Sequence, residues 1–206
     1  MLKLYNLNLS GNCYKVRLML SLLELEHELV PVNLQAGEHK SSAFLKLNPL
    51  GQVPVLLDGD VVIRDSQAIL VYLARHYGDE NWLPVEAEAM AKVVQWLSTS
   101  ANDIQQSVAA ARLHFIFNAK IDLDLAQSKA YKILQVMDDH LQERKWLECV
   151  SEALPQEARP TIADIACFPY IALAADGKIA LKDYPHVIAW INRIKQLPGY
   201  VGMPGV

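Results

Sequence analysis

The stretch NPLGQVPVLLDGDVVIRDSQAIL, residues 48–70, decides the reading of this chain. Proline has no N–H to give to a ladder, so inside a sheet it is confined to edges and strand starts. Here Pro54 opens the apolar run Val55-Leu56-Leu57-Asp58. The segment therefore predicts a turn, a Pro-started strand, a hairpin at Asp58-Gly59, a second strand, and a helix opening at Asp65-Ser66. Val53-Pro54 is a candidate cis peptide, a form that would expose the Val53 N–H and C=O at the sheet edge. An exposed backbone pair can hold a peptide-like ligand as an added strand. The free N–H groups of a helix start can receive a carboxylate. One segment thus offers grips for both the backbone and the acid group of a small peptide.

Upstream, LKLYNLN predicts a strand, Ser10-Gly11-Asn12 a loop, and Tyr14–Leu25 a helix burying Val16, Met19, Leu20 and Leu23. HELVPVNL predicts a second strand, GEHKSS an exposed loop, and Phe44–Leu47 one helical turn before Asn48-Pro49. With the hairpin and a helix over Ser66–Tyr77 the order is βαβαββα, a crossover-linked parallel pair extended by antiparallel strands. From Glu86 onward only helical spacing remains. Val93, Trp96, Leu97, Ile104, Val108, Ala111 and Phe115 predict one long helix, Leu123–Gln142 a second and Tyr184–Gln196 a last. Ser151–Arg159 reads as a loop. Thr161-Ile162-Ala163-Asp164 reads as a capping box with Asp in the place of Glu, and losing that Asp is expected to cost about 0.5–2 kcal/mol. Residues 81–84 read as the linker between a first domain, 1–80, and an all-helical second, 86–206.

The chain has 206 residues, 52% of them hydrophobic, and a net charge of −4 with no basic run. That argues against nucleic-acid binding by phosphate neutralisation. The longest apolar run, near Ile162–Ala175, holds Asp164 and Pro169 and is too short to span a bilayer, and no signal peptide is evident. Three cysteines without metal spacing argue against a disulfide framework and for a reducing cytoplasm, with no metal site.

Taken in order, Leu4-Tyr5, Ser10-Gly11-Asn12-Cys13-Tyr14-Lys15-Val16-Arg17, Asn48 to Pro54, Asp65-Ser66-Gln67-Ala68-Ile69 and Thr161 to Asp164 resemble a cytosolic glutathione S-transferase over nearly the whole length. The serine after the first strand resembles the bacterial, theta-like, serine-type members. The resemblance implies a thioredoxin-like α/β first domain and an all-α second. It implies a cytoplasmic homodimer that takes glutathione as co-substrate and attacks a small hydrophobic electrophile.

By that resemblance the Ser10 hydroxyl donates to the glutathione sulfur and favours the nucleophilic thiolate; the plainer reading is a loop or cap serine. Asn12 can donate to the same sulfur. Ser10-Gly11-Asn12-Cys13 also has the form S-x-x-C, so Cys13 is either a redox cysteine forming a mixed disulfide or a small buried hydrophobe. His39, Lys40 and Gln52 are implied partners of the glycine carboxylate. Val53, presented by Pro54, pairs with the cysteinyl unit. Asp65 and Ser66 hold the γ-glutamyl end, Asp on the ammonium and Ser on the carboxylate.

Nine positions separate Asp103 and Arg112, half a turn on a regular helix. Asp103 is implied to reach the glutathione of a second subunit, and Arg112 to face the second-substrate site or a structural partner. Tyr5 lies inside its strand and is expected to pack. Two other functions stay open on the same residues: a glutathione-dependent disulfide or peroxide reductase, and a non-catalytic partner-binding protein of this fold.

Overall fold

The computed structural model describes residues 1–149 and 158–206. Most of the loop expected at Ser151–Arg159 lies outside the described residues. The first part runs β1 (Leu2–Asn6), α1 (Gly11–Leu22), β2 (His27–Pro31), α2 (Ser42–Leu47), β3 (Val55–Asp58), β4 (Val61–Arg64) and α3 (Ser66–His76). This is the βαβαββα order expected. The sheet order is β2-β1-β3-β4, with β1 and β2 parallel and the other two pairings antiparallel. The hairpin turns through Gly59, whose φ of +56° suits a residue without Cβ.

Alternation along the strands divides the sheet between two cores. Leu2, Leu4 and Leu56 join the large core formed with α1 and α3. On the opposite face Val55 packs with Val32 and Phe44, and Tyr5 meets Phe44 edge-on at 5.8 Å, the packing role its strand position implied.

The helical part comprises α4 (Ala87–Thr99), α5 (Ala110–Phe117), α6 (Leu123–Leu141), α7 (Ile162–Ala172) and α8 (Pro185–Lys195). In place of one regular long helix, Ser100–Ala109 joins α4 to α5 with the wider i→i+5 winding of a π-helix. Hydroxyls account for part of this. Thr99 donates to the carbonyl of Gln95 at 3.0 Å, and Ser107 donates to that of Asp103. Both compete with the i−4 backbone bond. The half-turn offset expected between Asp103 and Arg112 presumed regular winding, so it does not apply. Phe115, expected on the buried face, is 39% exposed.

α7 is the axis on which both parts pack. Residues 162–171 are all buried, as its apolar composition around the full circumference requires. It contacts α1, α3, α4 and the π segment. The presumed linker is not loose: Trp82 O accepts from Ile162 N at 2.9 Å, Arg75 donates to Pro84 O at 2.6 Å, and Leu83 is buried.

The capping box is present at the start of α7, and it is larger than a cap. Asp164 Oδ2 accepts from Thr161 N at 2.9 Å. Its Oδ1 accepts from Leu147 N and from Trp190 Nε1, each at 2.8 Å. Asp164 is fully buried. Burial pushes its carboxyl up to about 6, against the lowering effect of those N–H donors. The capping cost expected from sequence therefore understates its role.

Candidate functional site

A cleft of about 900 Å³ opens between the C-terminal end of β1, the N-terminal end of the antiparallel β3, the start of α3, and the helical part. That volume falls within the range of small-molecule sites. Ser10, Asn12, His39, Gln52, Val53, Asp65, Ser66 and Arg112 line it, so most of the expected residues converge although they lie on separate segments. Lys40 and Asp103 do not line it, and both are exposed. Pro54 is buried behind Val53, and the bond between them is cis.

Ser10 serves as cap and leaves a donor. It adopts extended dihedrals, φ −81° and ψ 120°, and its Oγ accepts from Cys13 N at 3.2 Å. That bond occupies an oxygen lone pair, so the hydroxyl hydrogen stays available to an anion in the cleft. The N-terminal end of α1 adds a favourable field for a negative charge there. Gly11 follows because the ring of Tyr170 lies against it: a Cβ would sit 2.6 Å from Tyr170 Cε1.

Asn12 bridges two parts of the cleft wall. Its Oδ1 accepts from Ser66 Oγ at 3.4 Å and its Nδ2 donates to Gln105 Oε1 at 3.5 Å, both long bonds. Cys13 is fully buried. Its sulfur accepts from Leu7 N at 3.4 Å, and burial pushes its thiol pKa up, away from the thiolate a redox cysteine needs.

At the start of α3, Asp65 Oδ1 accepts from Gln67 N at 2.9 Å and from Ala68 N at 3.1 Å. Asp65 has φ +74°, a conformation uncommon for a residue with a side chain, and such outliers concentrate at functional sites. The adjacent Ser66 is buried with its hydroxyl toward Asn12.

Arg112 reaches the cleft wall with its charge already engaged. Its Nε lies 2.9 Å from Asp176 Oδ2 in an ion pair, and its NH1 donates to Leu9 O at 2.9 Å. This bond ties the loop preceding Ser10 to the helical part. Arg112 thus has the structural partner that was one of its two expectations while also lining the cleft, and Phe117 from the same helix lines it too.

Several lining residues carried no assignment from the sequence: Lys15, Gln67, Gln105 and Tyr170. Lys15 and Gln67 stand inside motifs whose neighbours drew attention first. Gln105 and Tyr170 come from the helical part, where an apolar period marks the core and says nothing of the cleft.

A family model for the N-terminal domain of glutathione S-transferase matches residues 1–75. The chain is 33% identical to glutathione S-transferase 3 of Zea mays over 211 residues, covering 97% of this chain and 91% of that protein. A stretch of 115 residues is 43% identical to a zeta class glutathione S-transferase of Euphorbia esula, covering 56% of this chain and 51% of that one. Among solved structures, a glutathione S-transferase from Pseudomonas fluorescens superposes with a TM-score of 0.88 at 32% identity, covering 98% of both chains. With the cleft built on Ser10, Val53 and Ser66, these similarities place the chain in the glutathione S-transferase family.

Proposed function

We propose that this chain binds glutathione in the cleft and activates its sulfur as a thiolate for attack on a small hydrophobic electrophile. The observation that carries the reading is Ser10, whose oxygen caps α1 while its hydroxyl hydrogen is left to donate into the cleft. The cysteinyl unit lies along the Val53 main chain, which brings its sulfur toward Ser10. The γ-glutamyl end sits at the start of α3, carboxylate on Ser66 and ammonium near Asp65. His39 and Gln52 line the side where the glycine carboxylate falls, and Lys40 reaches that end only from the exposed rim.

A hydrogen bond to sulfur that is stronger for thiolate than for thiol lowers the thiol pKa, and the thiolate is the nucleophile. The electrophile meets the apolar side of the cleft, where Leu9, Leu113 and Phe117 line the wall. Asp103, exposed and outside this cleft, is available to a second subunit of a homodimer. The buried, high-pKa Cys13 weighs against the reductase alternative.

The test is glutathione-dependent turnover of wild type, Ser10→Ala and Cys13→Ala with an aryl halide and with a mixed disulfide. Selective loss of the aryl-halide reaction in Ser10→Ala supports the proposal. Loss of disulfide reduction in Cys13→Ala with Ser10→Ala fully active overturns it. Failure of the wild type to bind immobilised glutathione favours the partner-binding alternative.

A further inference from the structure

Lys15 is a buried cation at the wall of the cleft. It is 0% exposed, on the first turns of α1. Its Nζ donates to Ser100 Oγ at 3.0 Å and lies 5.4 Å from the centre of the Tyr170 ring. Among the described residues no carboxylate lies within 4 Å of it. Buried charges ordinarily have a counter-charge, because losing hydration is costly.

Ser100 connects this cation to the start of α3. Its one hydroxyl hydrogen goes to Ala166 O at 2.7 Å, so its oxygen accepts both from Lys15 and from Gln67 Nε2, the latter at 3.2 Å. That pattern fixes which end of the Gln67 amide faces Ser100. It leaves Gln67 Oε1, a buried acceptor in the cleft wall, without a partner among the described residues. Asp65 meanwhile brings a negative charge to the same place, where a ligand carboxylate at Ser66 would be repelled unless a cation offset it.

We propose that Lys15 is a positioning residue for the acid end of the bound tripeptide, its buried ammonium supplying, behind Ser100 and Gln67, the positive charge that the ligand's α-carboxylate requires beside Asp65. This rests on the glutathione reading above. The carboxylate takes the N–H groups at the start of α3. Gln67, held by Ser100, presents Oε1 to the ligand ammonium. Lys15 acts through the low-dielectric wall, where a charge is felt more strongly than in water.

The surroundings agree with an unpartnered cation. Burial lowers the Lys15 pKa to about 8, and the groups facing it are Cys167 and Tyr170 from α7, Asp65 and Gln67 at the start of α3, and Ser100. Of these only Asp65 carries a charge at neutral pH, since burial pushes the Cys167 thiol and the Tyr170 phenol up. A carboxylate arriving nearby raises the pKa of Lys15 again, so ligand binding above pH 7.5 is accompanied by proton uptake.

The experiment is calorimetric titration of the intact protein with S-methylglutathione, which has no thiol to ionise, in buffers of different ionisation enthalpy from pH 7 to 8, where the ligand's own amine stays protonated. The wild type is expected to take up a fraction of a proton. Lys15→Met is expected to bind on the order of tenfold more weakly, as loss of one charge interaction in a partly buried site implies, and to lose that uptake. Lys15→Arg, whose guanidinium does not titrate, is expected to keep affinity within a few-fold and lose the same uptake. Wild-type affinity and proton uptake in folded Lys15→Met overturn the inference alone. Should Lys15→Met not fold, unchanged uptake in Lys15→Arg, or no uptake by the wild type anywhere in the range, overturns it equally. A wild type that does not bind S-methylglutathione overturns the glutathione reading and this inference with it.

Discussion

Replacing Asp164 by Ala removes the acceptor of three buried N–H groups at once: Thr161 N, Leu147 N and Trp190 Nε1. Each donor left unpaired costs about 1–3 kcal/mol, and breaking a buried charged network typically costs about 3–5 kcal/mol in total. For a chain of this size that is a fall in Tm of roughly 10 °C. The cost also varies with pH. The folded carboxyl has its pKa at about 6, above the ordinary 3.8. Between those values the folded state keeps a proton that the unfolded state has lost, so wild-type stability from this group declines as pH rises from about 4 to about 6 and is level above. Asp164→Ala has no such slope. The stability difference between the two proteins is therefore larger at pH 5 than at pH 7, by about 1.4 kcal/mol for one unit of the window. Asp58 and Glu86, whose pKa values shift downward, are common to both proteins and cancel. Urea denaturation of both proteins at pH 5 and pH 7.5 measures this. A difference under 1 kcal/mol at pH 7.5 refutes the network argument. A difference independent of pH refutes the raised pKa.

Ser10→Ala is expected to lower aryl-halide turnover by about 10²-fold, on the scale of losing one donor to a reacting anion, while retention on immobilised glutathione persists; turnover within twofold of wild type contradicts the role. Cys13→Ala is expected to leave turnover with both substrates within a few-fold and to lower stability by roughly 1 kcal/mol, since the thiol only fills space and accepts one bond from Leu7 N; abolished disulfide reduction contradicts this. Gly11→Ala is expected to cost about 1–3 kcal/mol by driving a methyl into the Tyr170 ring, 2.6 Å away. An unchanged denaturation midpoint would show that the ring moves freely.

Ser10, Val53, Asp65 and Ser66 were legible as cleft residues because their chemistry is local. Pro54 must start a strand, Ser10 must cap the helix that follows a strand, and Asp65-Ser66 must open another; each demand is written in adjacent residues. Regular winding through 100–109 was the wrong expectation because apolar spacing tolerates either three or four residues per step. The change to i→i+5 bonding depends on which carbonyls Ser107 and Thr99 engage.

What the amino-acid order determined alone is the element sequence, the hairpin, the caps and several of the residues that line the cleft, since these follow from steric limits and hydrogen bonds between near neighbours. What only the tertiary structure decided is partnership across the chain. Arg112 spends its charge on Asp176, 64 positions away, and Asp164 joins Leu147 and Trp190. Lys15 meets Ser100, 85 positions away, and through it Gln67, with no carboxylate of its own. Whether a charged side chain is a surface residue, a strut or part of a site depends on what the fold packs around it, because burial sets the cost of the charge and the partner brought near it sets how that cost is met.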